Sequence, residues 1–154
     1  MPGATYPQTI VVGYDGSEEA THALARAALL AKTFGSTLVV TVVEELVPLA
    51  SEPIGMGVAT ASPLVETGWN RELQIERARA ALDGQEVTLE IESPVGPPAS
   101  ALVEVADERH ADLIVVGTSD PGLLERLFAG SVSGSVARTA HCDVLVVRSA
   151  AAAV

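Results

Sequence analysis

The chain has 154 residues, of which 48% are apolar, which is enough for one domain with a single sizeable core and too little for two. Its formal net charge is −11, and its nine basic residues form no stripe that could follow a phosphate backbone, which argues against nucleic acid as a partner. The single cysteine, Cys142, excludes an internal disulfide framework.

The first third of the chain has the pattern of a strand, a helix and a second strand. A β-branched run from Thr9 to Gly13 predicts a strand that ends in a turn at residues 14–16. Ser17 is suited to cap the following helix, whose apolar residues recur at helical spacing, and Gly35 is placed to end it. A buried strand is then predicted from Thr37 to Val43.

The middle of the chain holds a long segment rich in helix and strand breakers. Proline and glycine recur among Ser, Thr and Ala from Leu46 to Gly68, which predicts a long loop over residues 46–68. Loops of this length are often lids or disordered segments, and the sequence leaves both open. A helix from Trp69 to Leu82 and a strand over residues 87–92 are predicted next, and the alternating polarity of that strand places it at a sheet edge.

The last third repeats the same alternation of helix and strand. Pro97-Pro98 introduces a third helix, and a fourth strand is predicted from Asp112 to Gly117. A helix from about Ser131 to Ala140 and a strand from Asp143 to Arg148 complete the domain. This order predicts an α/β fold, in which an open, mostly parallel five-stranded sheet with a core over residues 9–148 carries helices on both faces.

Two predicted strand ends are candidate binding sites, because open parallel sheets bind ligands beyond the carboxyl ends of their strands. At the first of them, Asp15 is positioned to accept hydrogen bonds from a ribose or a base. A turn carboxylate that accepts from nearby backbone N–H groups explains the same residue equally well. The sequence alone leaves both interpretations open.

The second candidate is the segment that runs from Gly117 to the helix beginning near Ser131. Gly130 would let the backbone approach a ligand closely, and Ser131 and Ser133 add hydroxyls to the free N–H groups of the first helical turn. This combination suits a phosphate. An ordinary glycine turn with a serine cap is the alternative, and on this segment alone the alternative is favoured.

Several familiar catalytic patterns are missing from the sequence. The only lysine, Lys32, lies mid-helix, and no P-loop or dinucleotide fingerprint occurs. His22, His110 and His141 have no metal-site spacing, and Cys142 is predicted to be a core thiol. We therefore expect no catalytic residues and no protein-held metal.

Five motifs taken together carry a family resemblance. They occur in order between Thr9 and Arg148: Val-Val-Gly-Tyr-Asp-Gly-Ser, Gly-Pro-Pro-Ala, Ala-Asp-Leu-Ile-Val-Val-Gly, Gly-Ser-Val-Ser with a later Ala-Arg, and Cys-Asp-Val-Leu-Val-Val-Arg. Nearly the whole chain thus resembles the universal stress protein family. The resemblance implies a Rossmann-like domain of the adenine nucleotide alpha hydrolase type, in a family that includes members that bind ATP and members that do not.

The ATP-binding members share a glycine motif after the fourth strand, and this chain matches it in part. Gly117 matches the first glycine, and Gly130-Ser131 match the last pair at the right spacing, whereas Asp120 replaces the middle glycine. The resemblance further implies a contact from Asp15 to the ribose and one from the Val42 backbone to the adenine. By the same resemblance, the phosphates would lie along Ser131, Val132 and Ser133.

Asp120 places a carboxylate where the phosphates would lie. At about 5 Å from a phosphate oxygen it would weaken binding by roughly 1 to 3 kcal/mol, which affects ATP more than adenosine. A Mg²⁺ ion between Asp120 and the phosphates would reverse this effect. The sequence therefore favours adenosine recognition over triphosphate recognition.

The sequence and the resemblance lead to one hypothesis and one alternative. The hypothesis is a cytoplasmic homodimer, paired through the last strand at Val144 to Val147, that binds an adenine nucleotide and at most hydrolyses ATP slowly. The N-terminus has no signal-peptide pattern, and no apolar run approaches the ~20 residues of a membrane span. The alternative is a nucleotide-free dimeric interaction module of the same fold.

Overall fold

Strands and helices alternate along the chain in the computed structural model, which describes residues 6–45, 63–118 and 131–149, with the backbone alone for 63–69. The described elements are β1 (Thr9–Gly13), α1 (Glu18–Phe34), β2 (Thr37–Thr41), α2 (Pro63–Ala81), β3 (Thr88–Glu92), α3 (Pro98–Glu108), β4 (Leu113–Thr118), α4 (Val132–Thr139) and β5 (Asp143–Arg148). Within these ranges, no helix is both long enough and apolar enough to cross a bilayer.

The five strands form one sheet in the order β3-β2-β1-β4-β5, and every neighbouring pair is parallel. The predicted open parallel sheet is confirmed. Because β1 lies between β2 and β4, the chain first moves outward to β3 and then crosses to the other side of β1. The connections that leave β1 and β4 therefore diverge, and a crevice opens at the carboxyl ends of these strands.

Helices cover both faces of the sheet, because the inner strands carry apolar side chains on both faces. Ile10 and Val12 of β1 pack with α1 and α2, whereas Val11 packs with α3 and α4. Successive strand residues point to opposite faces, so a run of apolar residues supplies two cores at once. The three inner residues of the central strand are fully buried for this reason.

Local sequence sets the limits of α1. The Ser17 side chain accepts a hydrogen bond from the Ala20 N–H at 3.1 Å, and Glu18 and Glu19 lie in the positively polarised first turn. Gly35 ends the helix in the left-handed region at φ 68°, where glycine avoids the strain of a Cβ. These predicted caps are confirmed.

The strand β3 lies at a sheet edge, as its alternating polarity predicts. Leu89 and Ile91 pack against the α1 side of the sheet, while Glu90 and Glu92 lie on the other face and pair with Arg109 at the end of α3. The hydrogen bond to Glu92 raises the pKa of Arg109. Charged side chains therefore line this edge of the sheet.

Two predicted boundaries differ from the structure by more than one residue. The helix α2 begins at Pro63, so residues 63–68 of the predicted loop are helical, and residues 46–62 lie outside the described ranges. Proline favours the first turn of a helix, and the helical penalty of Gly68, about 1 kcal/mol, is small enough for the helix to continue through it. The strand β2 ends at Thr41, two residues before the predicted end, and beyond it the backbone bonds to the end of β3 and the segment after it through an isolated bridge at Glu44 rather than a continuous ladder.

Candidate functional site

A cavity of about 440 Å³ lies at the carboxyl ends of β1, β2 and β4, where the connections diverge. Its position is the one in which open parallel sheets bind ligands. The residues that line it come from these strand ends and from the starts of α1, α3 and α4: Gly13, Tyr14, Asp15, Ser17, Glu19, Ala20, Thr41, Val43, Glu45, Pro98, Leu102, Val116, Gly117, Thr118, Ser131, Val132 and Ser133.

Asp15 lies in the turn after β1 and borders the cavity with an exposed carboxylate. Its Oδ1 accepts a hydrogen bond from the Ser17 N–H at 2.9 Å, as the local turn interpretation predicts. The turn also requires Gly16, which has φ +81° and whose Cβ would lie 2.0 Å from the amide oxygen of Gln74 on α2. This packing fixes the turn and holds Asp15 at the mouth of the cavity.

Gly117 lies on β4, directly against the first turn of α1. A Cβ at this position would lie 2.2 Å from the Glu19 carbonyl oxygen and 3.1 Å from the Ala20 nitrogen. Both of these atoms belong to the backbone and cannot rotate away. Gly117 therefore allows β4 and α1 to approach closely, which is a packing role separate from any contact with a ligand.

The N-terminus of α4 forms one wall of the cavity. The Ser131 hydroxyl accepts from the Gly134 N–H at 3.1 Å, as an ordinary serine cap does. Helical geometry leaves the N–H groups of Val132 and Ser133 without acceptors in their own helix. Ser133 is buried and Val132 is partly exposed. The wall can therefore offer two backbone donors and two hydroxyls to one anionic group.

The structure does not bring Val42 to the cavity. Its N–H donates to the Glu92 carbonyl at 2.9 Å, its carbonyl accepts from the Ser93 hydroxyl at 3.1 Å, and its side chain packs in the core on the α1 side. Its neighbours Thr41 and Val43 line the cavity instead. A contact from the Val42 N–H to adenine would have to displace the bond to Glu92, while the Val42 carbonyl has one lone pair beyond the one that accepts from Ser93.

Two further predicted site residues, Asp120 and Gly130, lie outside the described residues. The described part of the site thus unites the turn at Asp15 with Gly117 and with the serines of α4. The structure places these residues around one cavity.

Sequence reasoning missed several residues on the β2 side of the cavity. Thr41 is completely buried, and its hydroxyl has no hydrogen-bond partner among the described residues. The signal in the sequence was that Thr41 is the one polar residue in the run from Leu38 to Val43. From the sequence, Glu44 and Glu45 are both expected to be solvated at the exit of a strand. In the structure they have different surroundings: Glu44 pairs with Arg71 of α2 at 3.0 Å, and Glu45 lines the cavity.

Cys142 lies outside the cavity, half-buried against the core beneath α3 and α4. Its burial and the nearby carboxylate of Asp107 raise the pKa of the thiol. A raised pKa leaves little thiolate at neutral pH, which makes this cysteine a weak nucleophile. The predicted core position is confirmed in part.

The comparisons with known proteins agree with the fold. The model of the universal stress protein family matches residues 7–148. A universal stress protein of Methanocaldococcus jannaschii is 33% identical over 95% of this chain and 85% of its own length, and one of Thermus aquaticus is 37% identical over 92% and 98%. A universal stress protein crystallised in complex with cAMP is 31% identical, with a TM-score of 0.64 over 94% of this chain and 98% of its own.

One more solved structure supports the fold alone. The universal stress protein from Archaeoglobus fulgidus in complex with dAMP is 23% identical, with a TM-score of 0.62 over 93% of this chain and 98% of its own. Both of these solved complexes contain an adenine nucleotide with a single phosphate group.

Proposed function

Because the chain belongs to the universal stress protein family, we propose that its cavity binds an adenine nucleotide or nucleoside without turning it over. The observation that carries the proposal is that Asp15, Gly117 and the serine-capped start of α4 line the same cavity. The cAMP complex of a relative 31% identical to this chain adds support.

The distribution of polar and apolar groups orients the proposed ligand. The donors at the N-terminus of α4 suit a phosphate, and Asp15 has a second carboxylate oxygen for the ribose hydroxyls. Val43, Pro98 and Leu102 give the opposite end of the cavity an apolar surface that suits the base. In this arrangement the ligand crosses the end of β1, with its base towards β2 and its phosphate towards β4.

Calorimetric titration with adenosine and AMP tests the proposal. Asp15→Asn keeps an oxygen that can accept from Ser17 but removes the charge and one acceptor, and we expect it to weaken adenosine binding about tenfold. Asp83→Asn, an exposed change at the end of α2, is the matched control. No heat of binding from the wild-type protein with either ligand would refute the proposal.

Turnover of ATP is tested separately, by phosphate release. We expect no phosphate release above the background without protein, whereas slow hydrolysis by this site would give a release that is lost in Ser131→Ala. Asp120→Gly is expected to raise ATP affinity by about one to two decades, in line with the 1 to 3 kcal/mol of repulsion at about 5 Å. A glycine variant that binds ATP no better than wild type would show that Asp120 does not face the phosphates.

We also propose a cytoplasmic homodimer that forms through β5. This strand pairs with β4 on one side, and its half-buried residues Val144, Leu145 and Val146 give the other edge an apolar character. Sedimentation velocity at micromolar concentration should give twice the 15.8 kDa mass of one chain. A monomer under these conditions would contradict the proposal.

The alternative function is a nucleotide-free interaction module, and the engaged N–H group of Val42 is the observation in its favour. Absorbance distinguishes the two functions. With one Trp and two Tyr, the protein absorbs weakly at 280 nm, so a nucleotide that copurifies would visibly raise the 260 nm band. Protein without nucleotide that also fails to bind adenosine in calorimetry would favour the alternative.

A further inference from the structure

The helix α2 contacts two of the chain segments that line the cavity, although none of its own described residues lines it. The contacts come from Arg71 and Gln74, which lie three residues apart and therefore on one face of the helix. Gln74 meets the turn after β1, and Arg71 meets the segment after β2.

Gln74 fills the space beside Gly16 in the turn after β1. Its amide oxygen lies 2.0 Å from the point that a Cβ of Gly16 would occupy, so the side chain packs directly on the turn. Gln74 is buried, and its Nε2 donates to Asn70 Oδ1 of the same helix at 2.9 Å. Its Oε1 has no hydrogen-bond partner in the described part of the chain. The contact with Gly16 therefore acts through the shape of the side chain.

The turn that Gln74 supports carries two residues of the cavity lining. Asp15 and Ser17 flank Gly16, and the Ser17 N–H donates to the Asp15 Oδ1 at 2.9 Å. The Asp15 carboxylate is exposed, so the direction of its second oxygen depends on where the turn lies. Hydrogen bonds weaken steeply with distance and angle, and a bond from a ribose hydroxyl to this oxygen therefore requires a fixed turn.

Arg71 supports the segment after β2, on the side of the cavity proposed for the base. Its Nη1 lies 3.0 Å from the Glu44 Oε2, and the Glu44 side chain is only 12% exposed. The Glu44 N–H donates to the Pro94 carbonyl at 2.8 Å, and its carbonyl accepts from the Gly96 N–H at 3.0 Å. Since both chain neighbours of Glu44 line the cavity, the ion pair fixes this part of the lining.

We infer that Gln74 and Arg71 are positioning residues of the nucleoside site: Gln74 fixes the turn that meets the ribose, and Arg71 fixes the segment that meets the base. This inference rests on the proposed nucleotide site and adds two residues that lie outside the cavity. The two residues act on different parts of the ligand, which makes their roles separable.

Calorimetric titration of the full chain with adenosine and with dideoxyadenosine, which lacks the two secondary ribose hydroxyls, tests the inference. Gln74→Ala leaves a space beside Gly16 and should lower adenosine affinity about tenfold, the loss expected for one hydrogen bond to a carboxylate, with dideoxyadenosine affinity unchanged. Arg71→Met leaves the charge of Glu44 without its partner and should weaken both ligands several-fold and equally. The ratio of the two affinities thus falls in the first variant and stays constant in the second.

Further variants separate positioning from a general loss of structure. Gln74→Met keeps most of the bulk against Gly16 and should restore most of the affinity lost in Gln74→Ala. Gln74→Asn withdraws the amide by one carbon and should lower the ratio in the same direction as alanine, at a smaller loss of stability. In an Asp15→Asn background, Gln74→Ala should cause little further loss, because both changes act on one hydroxyl contact. The matched control is Gln85→Ala, at an exposed glutamine between α2 and β3 at the opposite end of the sheet, which should change neither affinity.

The outcomes separate this inference from the proposed function. A Gln74→Ala protein that weakens both ligands equally, or neither, would overturn the role of Gln74 while the nucleotide site stands. An Arg71→Met protein that changes the ratio, or changes neither affinity, would overturn the role of Arg71 in the same way. A wild-type protein that binds both ligands alike would overturn the ribose contact on which the role of Gln74 depends. A wild-type protein that binds neither would overturn the proposed function as well.

Discussion

The replacement of Gly117 by alanine separates two roles that this residue could have. Its Cβ would lie 2.2 Å from the Glu19 carbonyl oxygen and 2.5 Å from the Glu19 carbonyl carbon, whereas ordinary contacts begin at 3.4 Å. Strand β4 lies inside the sheet between β1 and β5, and α1 packs on it over buried alanines, so neither element can shift freely. Overpacking of this kind destabilises proteins by about 1 to 3 kcal/mol.

Urea and thermal unfolding measure this effect. For a chain of this size, 1 kcal/mol shifts the melting temperature by about 2–4 °C, so Gly117→Ala should lower it by roughly 2–12 °C. The matched control is Gly13→Ala, at the end of β1, where the added Cβ would meet the Leu102 methyl carbon at 3.0 Å. Since that methyl lies at the far end of a flexible side chain, the control should lose much less stability.

The result also tests what Gly117 does for the ligand. If its role is packing, the alanine variant loses stability, and adenosine binding weakens because the first turn of α1 and the attached Asp15 turn shift. If its role were only close approach of a ligand, the variant would keep wild-type stability and lose affinity. A fully stable Gly117→Ala protein would therefore refute the packing argument.

Three further changes have expected outcomes. Thr41→Val removes a buried hydroxyl that has no partner among the described residues and should raise the free energy of unfolding in urea by about 1 kcal/mol. Ser131→Ala removes the α4 cap, and we expect a loss of about 1 kcal/mol together with a larger loss of affinity for AMP than for adenosine. The hydrogen bond to Asp143 raises the pKa of Tyr6 to about 12. The stability that this bond contributes is therefore present below pH 10 and is lost as the pH rises through 12. Tyr6→Phe should remove this part of the stability loss at alkaline pH, as measured by unfolding at a series of pH values.

The sequence predicts those parts of the fold that depend on local chemistry. The β-branched runs give the strands, and Ser17 and Gly35 give the ends of α1, because caps act over three or four residues. The start of α2 at Pro63 was missed, since breakers spread over residues 46–68 resemble a loop when tertiary packing is unknown.

The site residues that belong to local turns and caps were predictable from the sequence. The residues that reach the site through the packing of distant elements were not. Asp15 and Ser131 follow from turn and cap chemistry. Glu45 lines the cavity while Glu44 pairs with Arg71, and only the position of α2 beside the end of β2 separates these two acids. The packing role of Gly117 likewise depends on how closely β4 and α1 approach, which no local pattern records.

The two edges of the sheet differ in a way that supports association through β5. At β3, a second strand would have to desolvate Glu90, Glu92 and the Arg109 that pairs with them. Edge strands with such charges resist pairing, whereas β5 presents apolar residues beside a backbone edge with which no described strand pairs. Since the cavity opens at the carboxyl ends of the inner strands, a dimer formed along β5 leaves its mouth accessible. The edge proposed to associate and the end proposed to bind a ligand are thus separate parts of the same sheet, so we expect a variant that disrupts a β5 dimer to keep adenosine binding.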